Sequence, residues 1–140
     1  MTMSEDSLRQ RHEEGERVRN EVLGAGYASG GKKDDPFYRH FYEFTIDHCW
    51  GSVWLRPGLD RKTRSMLNVA MLAAMGRWPE LEIHTLGALN NGVSEAEIAE
   101  VLLQAGVYAG VPVAAEGFRT AFRVIESWRQ SPKPASELGR

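Results

Sequence analysis

The sequence predicts an all-α fold of about six helices, and three observations carry that prediction. Apolar residues recur at helical spacing through most of the 140 residues, helix start and stop signals divide the chain into segments of helical length, and no stretch alternates as a half-buried strand would. The length fits one domain, 1–140, able to bury roughly 70% of the surface that its unfolded chain exposes. No internal repeat is present in the sequence.

Ser4, Asp6 and Ser7 supply caps for a first helix over about 5–23, with Leu8, Val18 and Val22 as its sparse apolar contacts. Gly24, Gly26, Gly30 and Gly31 interrupt the pattern and, with Lys32-Lys33-Asp34, predict a mobile connection over 24–34, and the sequence does not say whether it acts as a lid. Asp35-Pro36 starts the second helix, a capping side chain followed by proline at the first helical position. Phe37, Phe41, Phe44 and His48 then fall on one helical face. Trp50-Gly-Ser-Val-Trp54 and Arg56-Pro-Gly-Leu-Asp60 read as a loop.

Asp60 caps a third helix over about 61–75, apolar on nearly every side from Met66 to Met75 with only Asn68 intervening. Such a helix has to be buried all round. A helical domain of this size seldom surrounds one helix completely, so a subunit interface is expected. A fourth helix covers 79–90 and stops at Asn90-Asn91-Gly92. Ser94-Glu95-Ala96-Glu97 is a capping box that opens a fifth, with Ile98, Val101, Leu102 and Ala105 on one face. Gly106 to Pro112 is expected to break it. A sixth helix follows over about 113–129, carrying Ala114, Phe118, Ala121, Phe122 and Ile125. Residues 1–4 and 131–140 are expected to be disordered tails.

Charged residues make up 26% of the chain and the formal net charge is −2, so no electrostatic footprint points to nucleic acid. Arg9, Arg11, Arg17 and Arg19 interleave with Glu13, Glu14, Glu16 and Glu21, the pattern of a solvated helix face. Cys49 is the single cysteine, which excludes an internal disulfide, a CxxC redox pair and a cysteine-only metal site. The longest apolar run, Val69 to Met75, is far short of a membrane span, and M-T-M-S-E-D at the start is no signal region. A cytoplasmic protein with neither membrane nor nucleic-acid partner is expected.

His84 is the residue that asks for chemistry. A histidine on an apolar helix is most often a core residue with one satisfied hydrogen bond. Three features favour a site instead. Glu80, one turn earlier, can reach the imidazole and hold one tautomer. Arg77-Trp78 brings a cation and an aromatic to the same helix end, and the preceding helix offers a dry wall. Glu80 and His84 are also half a ligand set, but His12, His40 and His48 lie on other elements without ligating spacing, so no metal is expected. Ser52, Ser65 and Cys49 lack a nucleophile motif. Arg56, Arg61, Arg64 and Arg77 are each ordinary surface residues taken singly. Arg64, at the edge of the apolar run, is the one drawn inward, where it needs an anion such as a substrate carboxylate. Trp50 and Trp54 suit either a core or a substrate platform.

The order of these pieces resembles the carboxymuconolactone decarboxylase family. The resemblance rests on R-H-E-E-G-E-R-V-R-N-E-V-L-G at 11–24, W-G-S-V-W-L-R-P-G-L-D at 50–60, R-S at 64–65, G-R-W-P-E-L-E-I-H at 76–84, A-L-N-N-G at 88–92 and E-V-L-L-Q-A-G-V-Y-A-G-V-P at 100–112. It implies an alkylhydroperoxidase-D-like helical subunit assembling as a homotrimer or homohexamer. The peroxidases of that superfamily use CxxCxxxH and a glutamate on the preceding helix. Aligned on His84, those cysteine positions fall on Arg77 and Glu80 and the glutamate on Ser65, so the resemblance implies no thiol chemistry here. It implies cofactor-free decarboxylation of 4-carboxymuconolactone to the 3-oxoadipate enol-lactone, in protocatechuate breakdown. His84 would then be proton or oxyanion donor with Glu80 orienting it, and Arg64, Arg77, Arg56 and Trp54 would bind the substrate. The rival readings are a related enzyme acting on a different lactone or oxo acid, and a non-catalytic oligomeric binding protein with a structural His84.

Overall fold

The computed structural model describes residues 2–24 and 32–131. The chain divides into two compact units, Met1–Leu59 and Asp60–Arg140, and the described residues of both are helical, without strands. Most of the connection expected over 24–34, and the tail from 132 onward, lie outside the described residues.

The first unit starts with α1 (Glu5–Leu23), whose N-cap Ser4 accepts from the Ser7 backbone at 3.2 Å. Helix α2 (Pro36–Thr45) begins as its sequence signal requires: Asp35 accepts from the amides of Phe37 and Tyr38, both at 3.0 Å, ahead of Pro36. The chain then does not become a loop. It widens into a π-helix, Ile46–Val53, closed by an i to i+5 bond from the Trp54 amide to the Cys49 carbonyl at 3.1 Å. This corrects the loop expected from residue 50, because glycine and tryptophan there serve helix packing rather than a turn. Gly15 on α1 meets Gly51 on the π-helix so closely that a Cβ at Gly15 would stand 2.6 Å from the Gly51 nitrogen. With no side chain between them, the two helices bury Val18, Val22, Ile46 and Trp50, each less than 5% exposed. His12 Nδ1 against Asp47 Oδ1 (2.7 Å) and the Tyr42 hydroxyl donating to Glu16 (2.5 Å) tie the same elements. Burial, reinforced by that carboxylate, pushes the Tyr42 hydroxyl up to about 12. The face carrying Phe37, Phe41 and Phe44 is exposed.

The second unit holds α3 (Arg61–Ala74), α4 (Trp78–Asn90), α5 (Glu95–Ala109) and α6 (Val111–Gln130). Helix α3 packs on α4 and α5, and α6 lies against α4 and α5. Asp60 caps α3 through the Thr63 amide at 2.7 Å, and the Ser94–Glu97 box opens α5 with reciprocal bonds of 3.1 and 2.8 Å. Val69, Ala73, Leu81, Ala88, Ile98, Leu102 and Ala121 form the core.

One expectation is corrected in this unit. Helix α5 runs through Gly106 and ends only at Gly110, whose φ of 109° a side chain would oppose. Gly106 instead admits α6, since a Cβ there would lie 2.6 Å from that of Ala114. Helix α3 is covered on one side by its own chain, and the subunit interface expected for its other side concerns a second copy. Val69 and Ala73 are buried, but Leu67, Met71 and Met75, one turn apart in succession, stay exposed within one chain.

Candidate active site

A polar seam crosses the otherwise apolar contact between α3 and α4. The Asn91 amide nitrogen donates to Ser65 Oγ at 2.9 Å, with Ser65 fully buried and Asn91 nearly so. One turn further along α3, Asn68 Nδ2 faces His84 Nδ1 at 3.3 Å. In a packed helix interface an unsatisfied polar group costs about 1–3 kcal/mol, so these rungs fix which residues of the two helices stand opposite each other. The rest of the face around His84 is core: Leu81, Thr85 and Ala88 are fully buried.

Burial pushes the His84 imidazole down to about 4, overcoming the charge of Glu80, which acts the other way. At pH 7 on the order of one ring in 10³ carries the second proton, so His84 is a neutral imidazole. The stability consequence has a definite sign. An unfolded histidine takes up its proton near pH 6.5, whereas the folded one resists until about 4. The stabilisation is therefore complete above pH 6.5 and is lost as pH falls towards 4. Its full size is on the order of 3 kcal/mol, with roughly 2 kcal/mol disappearing between pH 7 and pH 5. Urea midpoints are expected to drop more steeply over that interval in the wild type than in His84→Asn; equal slopes would refute the assignment.

Glu80 makes no hydrogen bond to that ring. Its Oε1 accepts from Arg77 at 2.8 Å, and its Oε2 is buried without a hydrogen-bond partner. The Arg77 hydrogen bond holds the Glu80 carboxyl below its usual range, so it remains an anion. The orienting contact expected of Glu80 is thus supplied by Asn68, and Glu80 acts on His84 through charge alone. Arg77 is exposed at the N-cap of α4 and engaged with Glu80. Arg64 is half-buried and lies one turn before Asn68, on the same face of α3. Trp54 and Arg56 belong to the first unit. Trp54 is buried and stacked on Trp50 with ring centroids 4.7 Å apart, while Arg56 is exposed.

Asn68 is the residue that the sequence reading passed over. Its signal was present as the lone polar side chain in the apolar run of α3. Among the described residues no three His, Cys, Asp or Glu side chains gather as a ligand set, and no helix is long and apolar enough to cross a membrane. A groove of about 330 Å³ between α5 and α6, lined by Ile98, Leu102, Phe118 and Phe122, does not include His84.

The carboxymuconolactone decarboxylase family model matches residues 39–122, which takes in α3, α4 and the seam between them. The chain belongs to the carboxymuconolactone decarboxylase family. It is 44% identical over 122 residues to a nitrosuccinic acid decarboxylase of Metarhizium robertsii, covering 86% of this chain and 85% of that protein. It is 36% identical over 129 residues to the 4-carboxymuconolactone decarboxylase of Acinetobacter baylyi, covering 91% and 96%. A shorter match, 32% over 69 residues, joins about half of the chain to an uncharacterized 15.0 kDa protein of Paracoccus denitrificans. A carboxymuconolactone decarboxylase family member with two named decarboxylases among its relatives has support for a carboxy-lyase type of activity.

Proposed function

We propose that the protein decarboxylates a small dicarboxylic acid that carries its own electron sink, with 4-carboxymuconolactone as the substrate and 3-oxoadipate enol-lactone as the product. The observation that carries this reading is the neutral, half-buried imidazole of His84 on a face of α4 that is otherwise core. When the carbon–carboxylate bond breaks, carbon dioxide leaves and the electron pair enters the lactone, placing negative charge on its carbonyl oxygen. The ring carbon then takes up a proton delivered from solvent water, which leaves as hydroxide. A neutral N–H donor in a poorly solvated surround stabilises that developing oxyanion without first having to lose a charge. Arg64 holds the retained acetate carboxylate.

A second substrate is favoured by the 44% identity to the nitrosuccinic acid decarboxylase. Nitrosuccinic acid has the same logic in a smaller frame: one carboxylate beside a nitro group that accepts the electron pair, and one carboxymethyl arm that is kept. The same donor and the same cation serve both.

Carbon dioxide release from purified protein, assayed with each acid separately, tests the reading. Turnover of the lactone is expected, with Arg64→Ala raising KM about 10²-fold. Turnover of nitrosuccinic acid alone transfers the assignment to the second substrate, and release from neither overturns the reading. An unchanged KM in Arg64→Ala removes Arg64 from the site.

A further inference from the structure

Two observations about His84 have to be taken together. Its Nδ1 faces a group that can only donate, the amide nitrogen of Asn68, at 3.3 Å. The register of that contact is fixed by a second buried rung, Asn91 to Ser65, on the same pair of helices. A neutral imidazole has one donor and one acceptor nitrogen, so whatever occupies Nδ1 decides the character of Nε2.

We propose that Asn68 is a positioning residue: by donating to Nδ1 it places the single ring proton of His84 on Nε2, making that nitrogen a hydrogen-bond donor and not a base. An acceptor in the same place would do the reverse. A carboxylate facing Nδ1 holds a proton there and leaves Nε2 to abstract protons, the arrangement of a histidine that serves as general base. Helix α4 supplies a carboxylate, Glu80, but Arg77 engages it and it makes no hydrogen bond to the ring. The choice of asparagine rather than aspartate at position 68 thus selects stabilisation of a developing oxyanion over proton abstraction. The inference deepens the proposed function and rests on it for its kinetic part only.

The test has one arm that needs no substrate. Nitrogen-15 NMR of the ligand-free protein at pH 7 is expected to show His84 with a bare Nδ1 and a protonated Nε2, and Asn68→Asp is expected to move the proton to Nδ1. A wild-type ring protonated on Nδ1, facing a reversed Asn68 amide, overturns the proposal whether or not any acid is turned over. In the kinetic arm, Asn68→Asp is expected to lower kcat about 10²-fold, read at saturating substrate because the new carboxylate also stands one turn from Arg64. A kcat equal to that of the wild type in a variant whose tautomer has switched also overturns it. If neither acid is a substrate, the proposed function fails and the NMR arm still decides the tautomer.

Discussion

Replacing His84 by alanine is expected to lower kcat for decarboxylation about 10²–10³-fold, the usual loss when one preorganised oxyanion donor is removed. The ground-state complex should change little. The retained carboxylate is assigned to Arg64, one turn from Asn68 on α3, and nothing in that anchor passes through the imidazole. KM is therefore expected to stay within a few-fold, the signature of an interaction made in the transition state. Truncation also leaves space among Leu81, Thr85 and Ala88, all fully buried, so the variant must be shown to be helical before its rate is read. His84→Gln provides the contrast, because its amide N–H is a neutral donor of similar reach and is expected to restore part of the lost rate. A folded His84→Ala that turns over normally removes His84 from the chemistry.

The largest expected structural effect comes from one methyl group at Gly15. Its Cβ would lie 2.6 Å from the Gly51 nitrogen, 2.8 Å from the Gly51 Cα and 3.0 Å from the Ile46 carbonyl oxygen. All three are backbone atoms, so no side chain can rotate away and α1 must lift off the π-helix. Overpacking of this kind costs about 3 kcal/mol, against about 1 kcal/mol gained by putting alanine in place of glycine in a helix. The overlap wins. A net loss of about 2 kcal/mol should appear in the denaturant midpoint of Gly15→Ala. Gly58→Ala, where an added Cβ meets nothing within 4 Å, should change stability by less than about 0.5 kcal/mol. Equal midpoints for the two variants would mean that α1 and the π-helix do not approach as described.

The local signals in the sequence were strong enough to place the helices. Ser4, Asp35, Asp60 and the Ser94–Glu97 box all cap as their spacing requires, because a cap is a contact between near neighbours and needs no knowledge of the fold. What escaped was tertiary. Gly51 read as part of a loop because glycine marks turns, yet it admits another helix. The π-helix has no propensity signature of its own, so residues from 50 onward read as a loop. His84 stood out as a polar residue on an apolar helix. Asn68 was visible in the same way and was passed over, because its value depends on α3 lying opposite α4 in one register. Glu80 looked like the partner because it is one turn away, but Arg77, three residues before it, engages its carboxylate.

The Trp50–Trp54 stack, four residues apart on the widened helical turn, has an optical consequence. Rings inclined by only 27° at 4.7 Å couple their electronic transitions, which splits the indole band and generates paired circular-dichroism lobes of opposite sign. Trp78 and Trp128 belong to the second unit, packed against its core. The first unit thus carries a chiral chromophore of its own, and loss of the couplet reports the unwinding of the Ile46–Val53 turn while the amide signal follows all the helices together.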